Sequence, residues 1–358
     1  MSKNPKRILV LYDLPERVVN HDKPEYLLTH HDRPTERDIT RAIKRMGLDL
    51  HVHGVYDEVE ELWRKIDAIK PALIFNLCET YCGDRAHEGD VASILELARV
   101  PYTGSRPSAL HLCKDKGATK KIAGWDGIKV PAFKVYSHEN YKFESFSCQF
   151  PLIVKPLNRE ASEGIAQASV VNDWIACEER ASWVVNRLKS DVIVEEYIHG
   201  RELYVGVVED SDGLCVLPPR ELFFANLNKD EPMVATYRAK WDEAYRQKWG
   251  ISTGKALNLP VATHQAVIAA SIKMFRAFGL RGYARLDWRI SLAGLPVFLE
   301  ANPNPALSID DDFAKAAKLA GYSYGELIAV IIGSALSEHN EVAKLMGNRD
   351  SNRVSRSS

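Results

Sequence analysis

No stretch of this sequence is long and apolar enough to cross a membrane. The longest near the C-terminus, Leu327 to Leu336, is broken by Gly333 and Ser334 and falls far short of the roughly 20 residues a span needs. It reads as a packed helix. Charge of one sign is lacking too: 47 basic residues meet 48 acidic ones, a formal net charge of -1, so no broad positive field exists to hold nucleic acid. Met1 to Arg7 lead straight into Ile8 to Tyr12 with no longer apolar region or small-residue cleavage site behind them, which predicts a cytoplasmic protein. Cysteine is sparse. The six at 78, 82, 113, 148, 177 and 215 show no CxxC spacing and read as free structural thiols. The usual phosphate signatures are missing, since no GxGxxG follows the first strand and Gly250 to Lys255 is one residue short of a Walker loop and lacks its Ser/Thr. Histidines 21, 30, 31, 51 and 53 match no zinc-ligand spacing.

What is present is a globular composition, 46% hydrophobic over 358 residues, enough for two or three domains. Strand and helix signals alternate through the first hundred residues: a strand at Ile8 to Tyr12, a helix capped by Thr35 with Ile39, Ala42, Ile43 and Met46 as its stripe, a strand through Leu48, Leu50 and Val52, a helix from Val59 to Ile69, and a strand at Ala72 to Asn76. This order predicts a doubly wound parallel sheet whose ligands bind at the carboxyl ends of its strands. Two loops qualify, Asp13 to Pro34 and Leu77 to Glu88. Short helices around Ser108 to Gly124 then lead to a small α+β unit, with strands at Leu152 to Lys155, Ile165 to Val171 and Val192 to Tyr197 around a helix from Asn172 to Lys189. From Glu202 strands dominate up to an amphipathic helix on Ile268, Ile272, Phe275 and Phe278, and two more strands follow at Tyr283 to Ile290 and Val297 to Asn302.

Those last strands carry the most informative chemistry. Tyr283, Arg285, Asp287 and Arg289 share one face, leaving Ala284, Leu286, Trp288 and Ile290 on the other. A two-residue turn at Ala293-Gly294 pairs Asp287 with Glu300 and Arg285 with Asn302. Carboxylates directly opposite repel unless neutralised, and two carboxylates beside an amide oxygen suit Mg²⁺; Arg285 and Arg289 could equally neutralise the acids in a surface network. Lys155 and Lys240 sit where an inward ammonium would need an anion, and Asn158 to Gly164 could cover phosphates. Lys120-Lys121 and Glu178-Glu179-Arg180 read as solvated helix faces.

Together, Pro101-Tyr-Thr-Gly-Ser105, Asp115-Lys116, Leu152-Ile-Val-Lys-Pro, Val194-Glu-Glu-Tyr-Ile-His-Gly-Arg-Glu-Leu, Ala239-Lys-Trp, Ala284-Arg-Leu-Asp and Leu299-Glu-Ala-Asn-Pro-Asn-Pro resemble, in order, the motifs of the ATP-grasp superfamily and within it the D-alanine:D-alanine ligase branch. The resemblance implies an ATP-grasp fold, α/β and α+β: an N-terminal doubly wound parallel-sheet domain over 1–110, a small central lid domain over 111–200, a C-terminal mainly antiparallel domain over 201–340 and a tail over 341–358. It implies that Lys116, Lys155 and Lys240 approach ATP phosphates, that Glu195, Tyr197 and Ile198 meet adenine, and that Glu202 holds the ribose. Asp287, Glu300 and Asn302 would ligate Mg²⁺ or Mn²⁺, Arg285 would stabilise a tetrahedral intermediate, and Ser162 would act in the phosphate loop.

The function so implied is an ATP- and Mg²⁺-dependent carboxylate-amine ligase working through an acyl phosphate on small amino-acid-like substrates, with a homodimer compatible. A D-alanine:D-alanine ligase is the near alternative and a non-catalytic ATP-binding regulatory protein the distant one. Departures cluster at the substrate. The phosphate loop reads Glu160-Ala-Ser-Glu-Gly164 where the family has Gly-Ser-Ser-x-Gly, Glu79 replaces a histidine, and Asp311 stands at the serine that holds the second substrate's carboxylate. Glu36 is either the acid that grips the first substrate's amine or a first-turn acid favoured by the helix dipole.

Overall fold

The computed structural model describes residues 6–19, 21–29, 32–160, 162–227 and 231–338, so His30, His31 and the 341–358 tail lie outside it. Three sheets organise the chain. The first is parallel, in the order β2 (Asp49–Val55), β1 (Arg7–Asp13), β3 (Leu73–Leu77). Central β1 is covered on both faces. Ile8, Val10 and Tyr12 pack toward α1 (Pro24–Thr29) and α2 (Pro34–Arg45), and Leu9 and Leu11 toward α3 (Val59–Ile69) and α4 (Glu88–Ala98). Thr35 does not cap α2. Arg33 occupies the N-cap position without a side-chain cap bond, and Pro34 takes the first helical position, where its fixed φ and missing N–H cost nothing.

After α5 (Pro107–Lys114) and α6 (Lys116–Trp125), a four-stranded antiparallel sheet runs in the order β4 (Phe133–Tyr136), β7 (Val192–Glu196), β5 (Leu152–Pro156), β6 (Val170–Val171), with α7 (Trp174–Leu188) packed on one face. The strand expected over Ile165 to Val171 shrinks to Val170–Val171. Ser162 and Gly164 take φ of 62° and 74°, and Arg180 of α7 donates to the Gly164 carbonyl at 2.6 Å, which curls the segment into a loop. Arg180 also lies 4.1 Å from the Trp183 ring, so it anchors this loop and is not part of a solvated face.

The third sheet is antiparallel, ordered β11 (Ile251–Lys255), β10 (Arg220–Phe224), β8 (Gly200–Asp210), β12 (Tyr283–Ser291), β13 (Pro296–Asn302), with β9 (Gly213–Val216) also on β8. Two short helices interrupt a stretch the sequence suggests is dominated by strands: α8 (Tyr237–Trp241) and α9 (Glu243–Trp249), capped by Thr236 and Asp242 through bonds of 3.1 and 2.9 Å. The buried stripe of α10 (Val261–Ala277) is Val267, Ala270, Ser271 and Met274, one position off the expected Ile268 and Ile272. Ser271 accepts the indole N–H of fully buried Trp288 at 3.1 Å, and this buried polar bond fixes the helix rotation.

The sheets interlock. Phe313 of α11 (Asp312–Leu319) and Leu327, Ile328 and Ile331 of α12 (Tyr324–Glu338) join the N-terminal core, while Ala109, Cys113 and Ala123 of α5 and α6 pack among Met274, Trp288 and Phe298. No single helix among the described residues is long and apolar enough to cross a membrane. At one junction Gly104, φ 91°, lies against Asn304, where a Cβ would come within 2.6 Å of its Oδ1; only glycine fits.

Candidate active site

The carboxylate hairpin forms by two compensating irregularities. The connection is a three-residue loop, with the Ser291 amide bonding Leu295 at 3.0 Å, so the pairing begins one residue out of the expected register. A bulge between Asp287 and Trp288 then restores it: Asp287 pairs with Glu300 and Arg285 with Asn302. Leu299 is the extra residue. Asp287 is 4% exposed, and Arg285 holds it with two parallel bonds, Nε to Oδ1 at 2.7 Å and Nη2 to Oδ2 at 2.8 Å. Burial opposes the Arg285 charge and Asp287 more than offsets it, so the guanidinium's pKa is raised. Glu300 is more open and lies 3.8 Å from Lys116 Nζ, and Asn302 Oδ1 accepts the Asn304 amide at 3.2 Å. Arg289 pairs instead with Glu202 at 2.9 Å, and Tyr204 O–H also donates to Glu202.

Facing this hairpin across the cleft, Glu195 of β7 is clamped between two lysines. Lys155 of β5 bonds one carboxylate oxygen, and Lys120 of α6 lies 3.1 Å from the other. Burial pushes the Glu195 carboxyl up, but the two ammoniums win and hold it below its ordinary range. Lys120, expected on a solvated face, is fully buried. Position 116 points inward, so 119, 120 and 123 follow at helical spacing, and Lys120 Nζ donates to the carbonyl of bulged Leu299 at 2.5 Å. Lys116 donates to the carbonyls of Leu157 and Arg159 at 3.3 and 2.6 Å. Lys155, Ser162, Glu195, Tyr197, Ile198 and Glu202 line one cleft with Asp287, Arg289 and Glu300. The Lys240 side chain lies outside the described residues. A larger cavity of about 440 Å³ lies between α2 and α12, lined by Asp38, Arg41, Met46 and Tyr324 among others; none of the candidate site residues lines it.

The two candidate substrate loops meet at the carboxyl end of β1. Asp13 accepts Thr80 O–H at 2.6 Å and the Glu79 amide at 3.2 Å. Glu36, in the first turn of α2, pairs with Arg33 at 2.9 Å, and burial raises its pKa. Glu79 pairs with Arg85 at 2.7 Å, and Arg85 also reaches Glu160 of the phosphate loop at 3.3 Å. Lys114 bridges Glu160 and Glu88 at 3.0 and 2.8 Å. The acid that replaces the family's glycine thus ties the loop to the N-terminal unit. Asp311 turns back onto its own chain, accepting the Ser308 amide at 3.0 Å.

A family model described as the D-ala D-ala ligase C-terminus matches residues 121–333. The chain is 30% identical over 300 residues to a D-alanine–D-alanine ligase of Cupriavidus metallidurans, covering 83% of this chain and 85% of that one. This chain belongs to the D-alanine–D-alanine ligase family. It is an ATP-dependent ligase of the carbon–nitrogen bond-forming class, with the ATP-grasp fold. It is also 31% identical over 265 residues to an uncharacterised protein of Sinorhizobium fredii, 74% of each chain. The crystal structure of a Bacillus anthracis D-alanine–D-alanine ligase complexed with ATP superposes with a TM-score of 0.69 at 21% identity, over 94% of this chain and 99% of that one.

Within this ligase, sequence reasoning missed Lys120 and the loop-binding pair Arg85 and Lys114, and it named Arg289 as a partner of the acids without identifying Glu202 as the acid it meets. Their signal was present only as spacing. Lys120 lies four residues after Lys116 on one helix face, and Arg289 lies two after Asp287 on one strand face.

Proposed function

We propose that this family member activates a small carboxylate with ATP as an acyl phosphate and transfers it to an amine, using Mg²⁺ held by Asp287, Glu300 and Asn302. What carries the reading is that one cleft joins the Lys155–Glu195 pair of the central sheet to the Asp287–Glu300 pair of the C-terminal sheet. Two carboxylates and an amide oxygen on adjacent strands form an all-oxygen donor set that fits a hard divalent ion. Such an ion, when bound, offsets charge on a phosphoryl group in transfer.

The chain's own residues account for the rest. Arg285 pairs with Asp287 and Arg289 with Glu202, while Glu195 meets two ammoniums, one more than its own charge balances. That excess favours the distal phosphates of a nucleotide. The Tyr197–Ile198 backbone, leading out of β7, would face adenine, with Glu202 at the ribose and Ser162 at the phosphates. Arg285, fixed by two bonds, is preorganised to hold negative charge on a tetrahedral oxygen. Glu36 would meet the amine of the first substrate. The cleft encloses only about 60 Å³, against roughly 300 Å³ or more for small-molecule sites, so the central sheet must move outward to admit a nucleotide.

D-alanine as both substrates is the second reading, favoured by the names of the relatives. A free carboxylate at these positions would repel the carboxylate of D-alanine, but Asp311 is engaged by its own turn and Glu79 by Arg85. A screen of amino acids and small carboxylates for substrate-dependent ADP release tests both. A specificity constant for D-alanine matching the best of a broad amine panel selects the second, and no ADP release with any substrate overturns the proposal.

A further inference from the structure

The segment after β1 is pinned along the sheet. Tyr12 O–H donates to the His21 carbonyl at 2.6 Å, the Gly54 amide donates to His21 Nδ1 at 3.2 Å, and Leu27 is fully buried. This brings His21 against β2 and α3, where His21, His53 and Glu61 offer ligand atoms that all lie within 4.8 Å of one another. The two imidazole centroids are 5.1 Å apart. His53 is 2% exposed, and its Nδ1 has no hydrogen-bond partner among the described residues. A buried ring nitrogen without a partner loses its hydration and gains nothing in exchange.

We propose that His21, His53 and Glu61 form a binding site for a divalent transition-metal ion of the zinc class. Two imidazoles and one carboxylate are a ligand set for such ions and a poor one for Mg²⁺, and three protein ligands leave a fourth position for water. The Gly54 amide, donating to His21 Nδ1, marks that nitrogen as the one that carries the lone pair, and an ion bound there would replace this hydrogen bond. Lys65, one turn beyond Glu61, is the cation beside the site, and Asp22 already pairs with it at 2.7 Å. The ligands come from the loop, the edge strand and a helix, so the ion cross-links His21 to the N-terminal sheet. It sits apart from the oxygen set of Asp287, Glu300 and Asn302, which belongs to another sheet.

The test uses the full-length chain, stripped with a chelator and held in saturating Mg²⁺, titrated with Zn²⁺ by calorimetry and with Co²⁺ by visible absorption. One ion per chain is expected, with the ligand-field band of low-coordinate Co²⁺. His21→Asn and Glu61→Gln, at partly exposed positions, should each weaken binding at least tenfold while circular dichroism shows the fold retained. Glu300→Gln, in the oxygen set of the other sheet, should leave the affinity and the band unchanged. Absence of saturable binding of either ion at micromolar concentration overturns the proposal. So does binding of equal affinity and spectrum in both His21→Asn and Glu61→Gln, which would place the ion elsewhere, for example on cysteine.

Discussion

Lys120 and Glu195 join two parts of the chain that never approach in sequence: Lys120 Nζ, fully buried on α6, lies 3.1 Å from the carboxylate of Glu195 on β7. The same ammonium donates to the carbonyl of Leu299, the extra residue of the β13 bulge. One lysine therefore supports both the irregularity that sets Asp287 opposite Glu300 and the carboxylate that positions Lys155. Lys120→Met keeps the stem and removes the charge, leaving Glu195 half paired in the interior. Loss of one partner of a buried ion pair costs about 3 kcal/mol or more, so thermal unfolding should show a drop of several degrees. An unchanged melting temperature would mean the cluster is not a structural hub.

The metal reading separates two amide variants. Glu300→Gln removes an anionic ligand at a partly open position, so turnover should fall by orders of magnitude at saturating Mg²⁺ and ATP with the melting temperature nearly unchanged. Asp287→Asn should lose turnover and stability together, because half-buried Arg285 is left without its carboxylate. Near-normal turnover in both variants would remove Mg²⁺ from this hairpin.

Lys155→Ala should weaken ATP far more than AMP, since an ammonium that meets the distal phosphates has nothing to hold in the monophosphate. Glu202→Ala should weaken both nucleotides. Calorimetry with each nucleotide decides, and equal losses for Lys155→Ala would make that lysine structural.

Glu160 ties the phosphate loop to Arg85 and Lys114, so Glu160→Gly should free it. Limited proteolysis of the nucleotide-free chain should then cut within 158–166 faster than in the parent. An unchanged cleavage rate would show that the two bridges do not hold the loop.

The thiols provide a check on the packing. Burial pushes Cys113 and Cys177 up to about 12 and Cys78 well above its ordinary value, so their thiolate fraction at pH 8 is negligible and rises only in strong base. Iodoacetamide should modify exposed Cys82 first and reach the buried three only after unfolding in urea. Mass spectrometry of the folded protein showing Cys113 or Cys177 labelled as fast as Cys82 would contradict this core.

The sequence by itself determined the parallel βαβαβ start, the pairing of Asp287 with Glu300 and the ordered motifs, because strand alternation, helix stripes and local turns are set by neighbours a few residues apart. It determined the pairing through an incorrect turn, since a three-residue loop and a bulge cancel, and a period-two pattern does not register an offset that is later undone. Only the tertiary structure decided that Lys120 is interior, that Arg180 anchors a loop and that Glu160 bridges two units. A lone charged residue looks solvated until its partner is placed, and the hydrogen-bond and ion-pair partners here lie more than ten residues away. The same holds for His21, His53 and Glu61, whose spacing along the chain carries no ligand pattern and which meet because the chain at His21 folds back over β2.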